Sequence, residues 1–130
     1  MTTIKAPSGG YDVPMYNRQG VRISLDEWAM LFSEGRSASD PTAGYHRIGY
    51  DTIGPFTIST VWRGLDHREF LGGEPLIFET CVMSPHQDDQ IIRYATEAEA
   101  RETHAAIIEK VRMVTFVSGA LRRLFEGREE

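Results

Sequence analysis

A chain of 130 residues, 41% hydrophobic and 25% charged, is long enough for one domain with its own core, and its single cysteine, Cys81, excludes an internal disulfide. The net charge of −5 disfavours nucleic-acid polymers, because an acidic surface repels phosphate backbones. No apolar run reaches the roughly 18 residues of a membrane helix, and the leading MTTIKAPSGG lacks the basic-then-apolar order of a secretory signal, so a cytoplasmic protein is expected.

Residues 1–10, small and polar and ending in Gly-Gly, read as a disordered N-terminus. Residues 11–130 read as a single domain. Met15-Tyr16 and Val21-Arg22-Ile23 flank Asn17-Arg18-Gln19-Gly20, the pattern of a short hairpin. Ser24 and Glu27 form a capping box that starts a helix. Leu25, Trp28, Leu31 and Phe32 share its apolar face, and Gly35 is placed to end it. Residues 36–43, RSASDPTA, read as a loop.

Tyr45 to Tyr50 reads as a strand, and PFTISTVW as a second, with Phe56, Ile58, Thr60 and Trp62 on one face. Leu76 to Met83 is apolar on both faces, so a central strand is expected, covered by helix on one side and by another layer or a partner on the other. Cys81 lies in it as a small buried hydrophobe. SPHQDDQ reads as a polar turn and Ile91 to Ala95 as a short return strand.

Thr96 and Glu99 form a second capping box and open a C-terminal helix over 96–126. Ala100, His104, Ile107, Val111, Val114 and Leu121 follow one face, with His104 as a packing histidine. At 1.5 Å per residue about 30 residues span about 45 Å, more than a sheet with strands of about 17–20 Å can cover. Met113, Phe116, Val117, Ala120, Leu121, Leu124 and Phe125 lack evident cover within the chain. Exposed apolar patches of this size mark interfaces. The expectation is a homo-oligomer, a dimer or higher. Gly119 is the place where the run would break into two helices. The fold class is α+β: a small antiparallel sheet of four or five strands, one short helix and a long C-terminal helix.

The connection TVWRGLDHREFLGGEPLIFET is longer than a hairpin needs, and excess loop on a rigid scaffold is where binding groups sit. Trp62 offers a face for stacking a base. Arg63 and Arg68 offer guanidiniums for a phosphate, Asp66 and His67 polar contacts, and Gly72 and Gly73 close backbone approach. A solvated loop explains the same residues. Glu79, on the central strand, needs a partner if buried: Arg47 or Arg93, or a ligand. A hydrolase using Asp66 and His67 lacks a nucleophile. His67, His86, Asp88 and Asp89 match no metal-site spacing. No dinucleotide or phosphate-loop glycine pattern occurs, so neither cofactor nor metal is expected.

Three segments taken together resemble a family of small proteins from tailed bacteriophages and their hosts. They are Thr60-Val61-Trp62 with Gly64-Leu65-Asp66-His67; Gly73 through Thr80; and Arg93-Tyr94, Thr96, Glu99-Ala100 and His104. YNRQGVRISLDEW looks like that family's lead-in. The resemblance implies an accessory protein acting in the host cytoplasm, with no particular reaction attached. In size, sheet-then-helix order and expected assembly the chain is also similar to anti-Thoeris sponge proteins, which sequester nucleotide signals, a likeness at fold level. Two readings follow. One is a non-enzymatic binder of a small anionic ligand such as a nucleotide, using Trp62, Arg63, Asp66, His67, Arg68 and Glu79. The other is a protein-interaction module, for a host or virion protein, acting through the apolar C-terminal helix.

Overall fold

The computed structural model describes residues 13–66 and 73–128. The expected disordered N-terminus, His67, Arg68 and Gly72 lie outside them. Eight elements follow in order: β1 (Met15–Tyr16), β2 (Arg22–Ile23), α1 (Leu25–Ser33), β3 (Arg47–Ile53), β4 (Phe56–Trp62), β5 (Phe78–Ser84), β6 (Gln87–Tyr94) and α2 (Glu97–Arg128). The chain is α+β, with a two-stranded β1–β2 ribbon and a four-stranded antiparallel meander ordered β3-β4-β5-β6.

Local chemistry explains the ends of the elements. Asn17 accepts the backbone N–H of both Gln19 and Val21 through its side-chain oxygen, and Gly20 closes the ribbon turn at φ +82°. Ser24 accepts the N–H of Glu27 and caps α1, and Gly35 leaves it at φ +72°. The capping box at α2 is complete: Thr96 Oγ1 accepts the N–H of Glu99, and Glu99 Oε1 accepts the N–H of Thr96.

Three strand boundaries differ from expectation. β3 runs on to Ile53, because Gly54, at φ +56°, and Pro55 make a two-residue turn that pairs Ile53 with Phe56. β5 starts at Phe78 rather than Leu76, since the Ile77 carbonyl accepts from the N–H groups of both Arg63 and Gly64 outside the ladder. β6 starts at Gln87, not Ile91. Gln87, Asp88, Asp89 and Gln90 belong to the strand and not to a turn, because β6 is an edge, where polar side chains face water and discourage further pairing.

The register places Thr60 opposite Thr80 and Gly49, so Ile58, Thr60, Trp62, Phe78 and Thr80 share one face of the sheet. α2 lies across that face and touches all four strands. At one end Ile48, Trp62, Ile77, Phe78, Tyr94 and Ala100 form the core, closed by Tyr16, Ile23, Trp28, Leu31, Phe32 and Tyr45. Leu25 was expected on this apolar face. It is exposed instead, on the first turn of α1. The opposite sheet face, with Glu79, Cys81 and Met83, is half-buried, and no described element covers it. Burial and the nearby carboxylates of Asp89 and Glu79 push the Cys81 thiol up, away from the reactive thiolate. No helix among the described residues is long and apolar enough to cross a membrane.

α2 is one unbroken helix through Gly119. Its 32 residues correspond to about 48 Å at 1.5 Å per residue. A Cβ added to Gly54 would lie 3.2 Å from Thr115 Cγ2, which puts Thr115 over the β3–β4 turn, at the sheet's end. The remaining residues overhang it.

Candidate functional site

Trp62 presents no stacking face. It is fully buried, its indole N–H donates to the Tyr16 carbonyl at 3.0 Å, and Tyr45 packs edge-on at 5.0 Å between ring centres. Alternation along β4 had placed it with Ile58 and Thr60, and that periodicity, rather than its position at a strand end, decides its fate. The next residues continue the junction. The Arg63 carbonyl accepts from the Trp28 indole at 3.0 Å. A Cβ on Gly64, at φ +75°, would lie within 2.7 Å of the indoles of both Trp28 and Trp62.

Glu79 is satisfied from two sides. Arg63 donates to Oε1 at 3.0 Å and Arg93 to Oε2 at 3.2 Å. Arg93 was one of the two expected partners. The second partner is Arg63, which was expected to face a ligand and not Glu79. Arg47, the remaining candidate, turns to Ser59 Oγ at 2.9 Å and the Gly49 carbonyl at 3.0 Å. Of the expected ligand-binding residues, Arg63 and Glu79 are therefore brought together as an ion pair, while Trp62 lies on the other face of the sheet. Asp66 follows Leu65, which bridges back to Met15. Asp66 also has a partner of its own. His86 sits in the β5–β6 turn, with Asp88 and Asp89 on the edge strand. No trio of His, Cys, Asp or Glu among the described residues is placed to hold a metal ion.

His104 belongs to a polar relay that periodicity alone could not reveal. Its Nδ1 is 2.7 Å from Thr60 Oγ1, its Nε2 is 2.7 Å from Asp51 Oδ2, and Thr60 Oγ1 is 2.6 Å from Thr80 Oγ1. Gly49 makes the space: a Cβ there would meet the imidazole at 2.9 Å. The order Asp–His–Thr has the form of a nucleophile triad, but Thr60 and Thr80 are wholly buried beneath α2 and no substrate reaches them. The relay satisfies polar groups inside the helix–sheet interface. Signals for it were present in the sequence: a histidine on the core-facing stripe and threonines on inward strand positions.

The exposed surface with a built pattern is the overhang of α2. Met113, Val114, Phe116, Val117, Leu121, Leu124 and Phe125 are each between 45% and 68% exposed. Ala100, His104 and Val111 are buried as expected, whereas Val114 and Leu121, assigned to the same stripe, are not. At about 100° per residue the overhang's apolar arc is centred about 120° around the helix from the sheet-facing line. It is a separate face and not a continuation of the core stripe. Arg112, Thr115, Arg122, Arg123 and Glu126 occupy the other side by the same periodicity. Within the arc Met113, Val117, Ala120 and Leu124 recur at spacings of four, three and four, the seam of a helix pair.

No protein-family model, curated protein or solved structure matches the chain.

Proposed function

We propose that the protein is an interaction module that works by self-association, and that the overhanging half of α2 pairs with the same segment of a second copy. The observation that carries this reading is the turn of the apolar stripe away from the chain's own sheet beyond Val111, combined with heptad-like spacing. A stripe meant for the sheet would hold its direction. The seven large side chains expose on the order of 700–800 Å², about the area each partner contributes to a standard interface and above what most monomers leave bare in one patch. A two-fold pair is self-complementary, so one seam serves both copies. A membrane surface would also accept an amphipathic helix with arginines on its polar side, but the chain's net charge of −5 works against approach to an anionic bilayer. The accessory-protein resemblance fits a module that acts by holding rather than by catalysis. The nucleotide-sequestering reading loses its stacking platform with the burial of Trp62.

Light scattering on a size-exclusion column tests the proposal. A dimer mass is expected for the wild type and a monomer mass for Phe116→Glu, with circular dichroism showing both folded. A wild type that stays monomeric at high micromolar concentration overturns it. So does a monomer that binds anionic vesicles through the same stripe.

A further inference from the structure

A cavity of about 290 Å³ lies between the segment that follows α1 and the start of β3, and Arg36, Ser37, Asp40, His46 and Arg47 line it. Two features set it apart. Neither guanidinium has a carboxylate partner among the described residues, whereas Arg18, Arg63, Arg93 and Arg101 all do. The arginines are nonetheless held in place. Arg36 donates Nε–H to the Phe32 carbonyl at 2.6 Å and stacks 4.2 Å over the Phe32 ring. Arg47 is fixed through Nη1 and lies over the Tyr50 ring, while its buried Nε has no partner.

The second feature is His46. It is only 7% exposed, its carbonyl accepts from the Trp62 N–H, and neither ring nitrogen has a partner among the described residues. Gly44, at φ +112°, lets the ring lie against the backbone, where a Cβ would come within 2.8 Å of Nδ1. Burial first, and then repulsion from Arg36 and Arg47, pushes His46 down to about 4, so the ring is neutral at pH 7 and carries one N–H to give. Buried polar groups without partners are uncommon, and each calls for an explanation. Asp40 is the one acid in the wall. Its Oδ1 is turned onto the hydroxyl and N–H of Thr42 at 2.6 Å and 3.0 Å, which leaves two fixed positive charges against one exposed negative.

We propose that this cavity binds a small oxyanion, a phosphate or carboxylate group, gripped by Arg36 and Arg47 with His46 as a hydrogen-bond donor. Its volume lies at the lower edge of small-molecule pockets and suits a compact group. Preformed guanidinium forks match the planar or tetrahedral oxygens of such a group. The site stands apart from the α2 surface, so either proposal survives failure of the other.

The test is a titration of isotope-labelled full chain with sodium phosphate and, in parallel, sodium acetate at constant ionic strength, following arginine Nε–H and histidine ring resonances by NMR. Saturable shifts confined to Arg36, Arg47 and His46 are expected with at least one anion, and the arm that saturates tells phosphate from carboxylate. Arg36→Gln, at an exposed position, should weaken the apparent Kd about tenfold or more, the size of one lost charge-assisted bond. Arg112→Gln should leave it unchanged. Linear, unsaturated shifts with both anions, or an Arg36→Gln protein that binds as well as the wild type, overturn the proposal.

Discussion

The two halves of α2 use similar residues at the same period and end in opposite situations. From Glu97 to Val111 the helix is tied down. Ala100 is buried in the core, His104 bonds to β3 and β4, and Arg18 grips Glu97 with bonds of 2.6 and 2.8 Å, joining the β1–β2 ribbon to the helix's first turn. Beyond Val111 the apolar side chains face away from the sheet. Hydrophobic periodicity thus identifies a face without identifying what covers it. The change of direction along one helix carries the further information, since it separates residues that hold the fold from residues left for a partner.

The sharpest way to break the comparison is to remove the floor under the first half. Trp62→Ala should cost about 3–5 kcal/mol, the range for deleting a large buried aromatic side chain, read as a fall in the urea midpoint. A loss under about 1 kcal/mol would show that Trp62 is not the anchor its burial indicates. Next in size is the relay. Thr60→Val keeps the shape but strips the hydroxyl that serves both His104 and Thr80, leaving buried polar atoms unmatched at a cost of about 1–3 kcal/mol. Thr52→Val, exposed on β3, is the control and should fall within about 0.5 kcal/mol of wild type.

The ribbon clamp gives a pH signature. The Arg18 hydrogen bonds, with help from Arg101, hold the Glu97 carboxyl down to about 2, below its ordinary 4.5. A folded value below the unfolded one means that the contribution is fully present above about pH 4.5 and is lost as pH falls toward 2. After allowance for solvent screening it amounts to about 1–2 kcal/mol. Glu97→Gln should flatten stability across that acid window. A wild type and variant with parallel acid limbs would remove the clamp from the account.

These contrasts also explain what the sequence could and could not show. The Ser24 cap, the reciprocal Thr96–Glu99 capping box, the Asn17–Gly20 turn and the inward alternation of Phe56, Ile58, Thr60 and Trp62 were legible, because each is set by neighbours within four residues or by a strict period of two. The return bond from the Ser24 N–H to Glu27 that would complete the first box is not formed. The strand of Gln87 to Gln90 was not. Polar composition signals water, and an edge strand meets water as a turn does. Glu79 announced its need for an arginine, but only the sheet register could choose Arg63 and Arg93 over Arg47. The relay required Asp51, Thr60, Thr80 and His104 to meet across three strands and a helix. The cavity of Arg36, His46 and Arg47 lies where the sequence shows only a loop and a strand start, and only the folded chain brings its two arginines and the buried histidine to one wall.

The smallest expected effect on folding is the most discriminating between the halves. Leu124→Ser changes a side chain 57% exposed on the overhang. In dilute solution, where copies are apart, the fold should lose less than about 0.5 kcal/mol, as surface substitutions do. Association acts differently. Because a partner that binds only the native state raises apparent stability by mass action, the wild-type melting temperature should climb with protein concentration. Leu124 sits on the seam, so its serine variant should melt at a temperature nearly independent of concentration while matching wild type at the dilute limit. The same substitution in a helix end covered by its own chain would lower stability equally at every concentration, and that result would move the overhang into the first half's class.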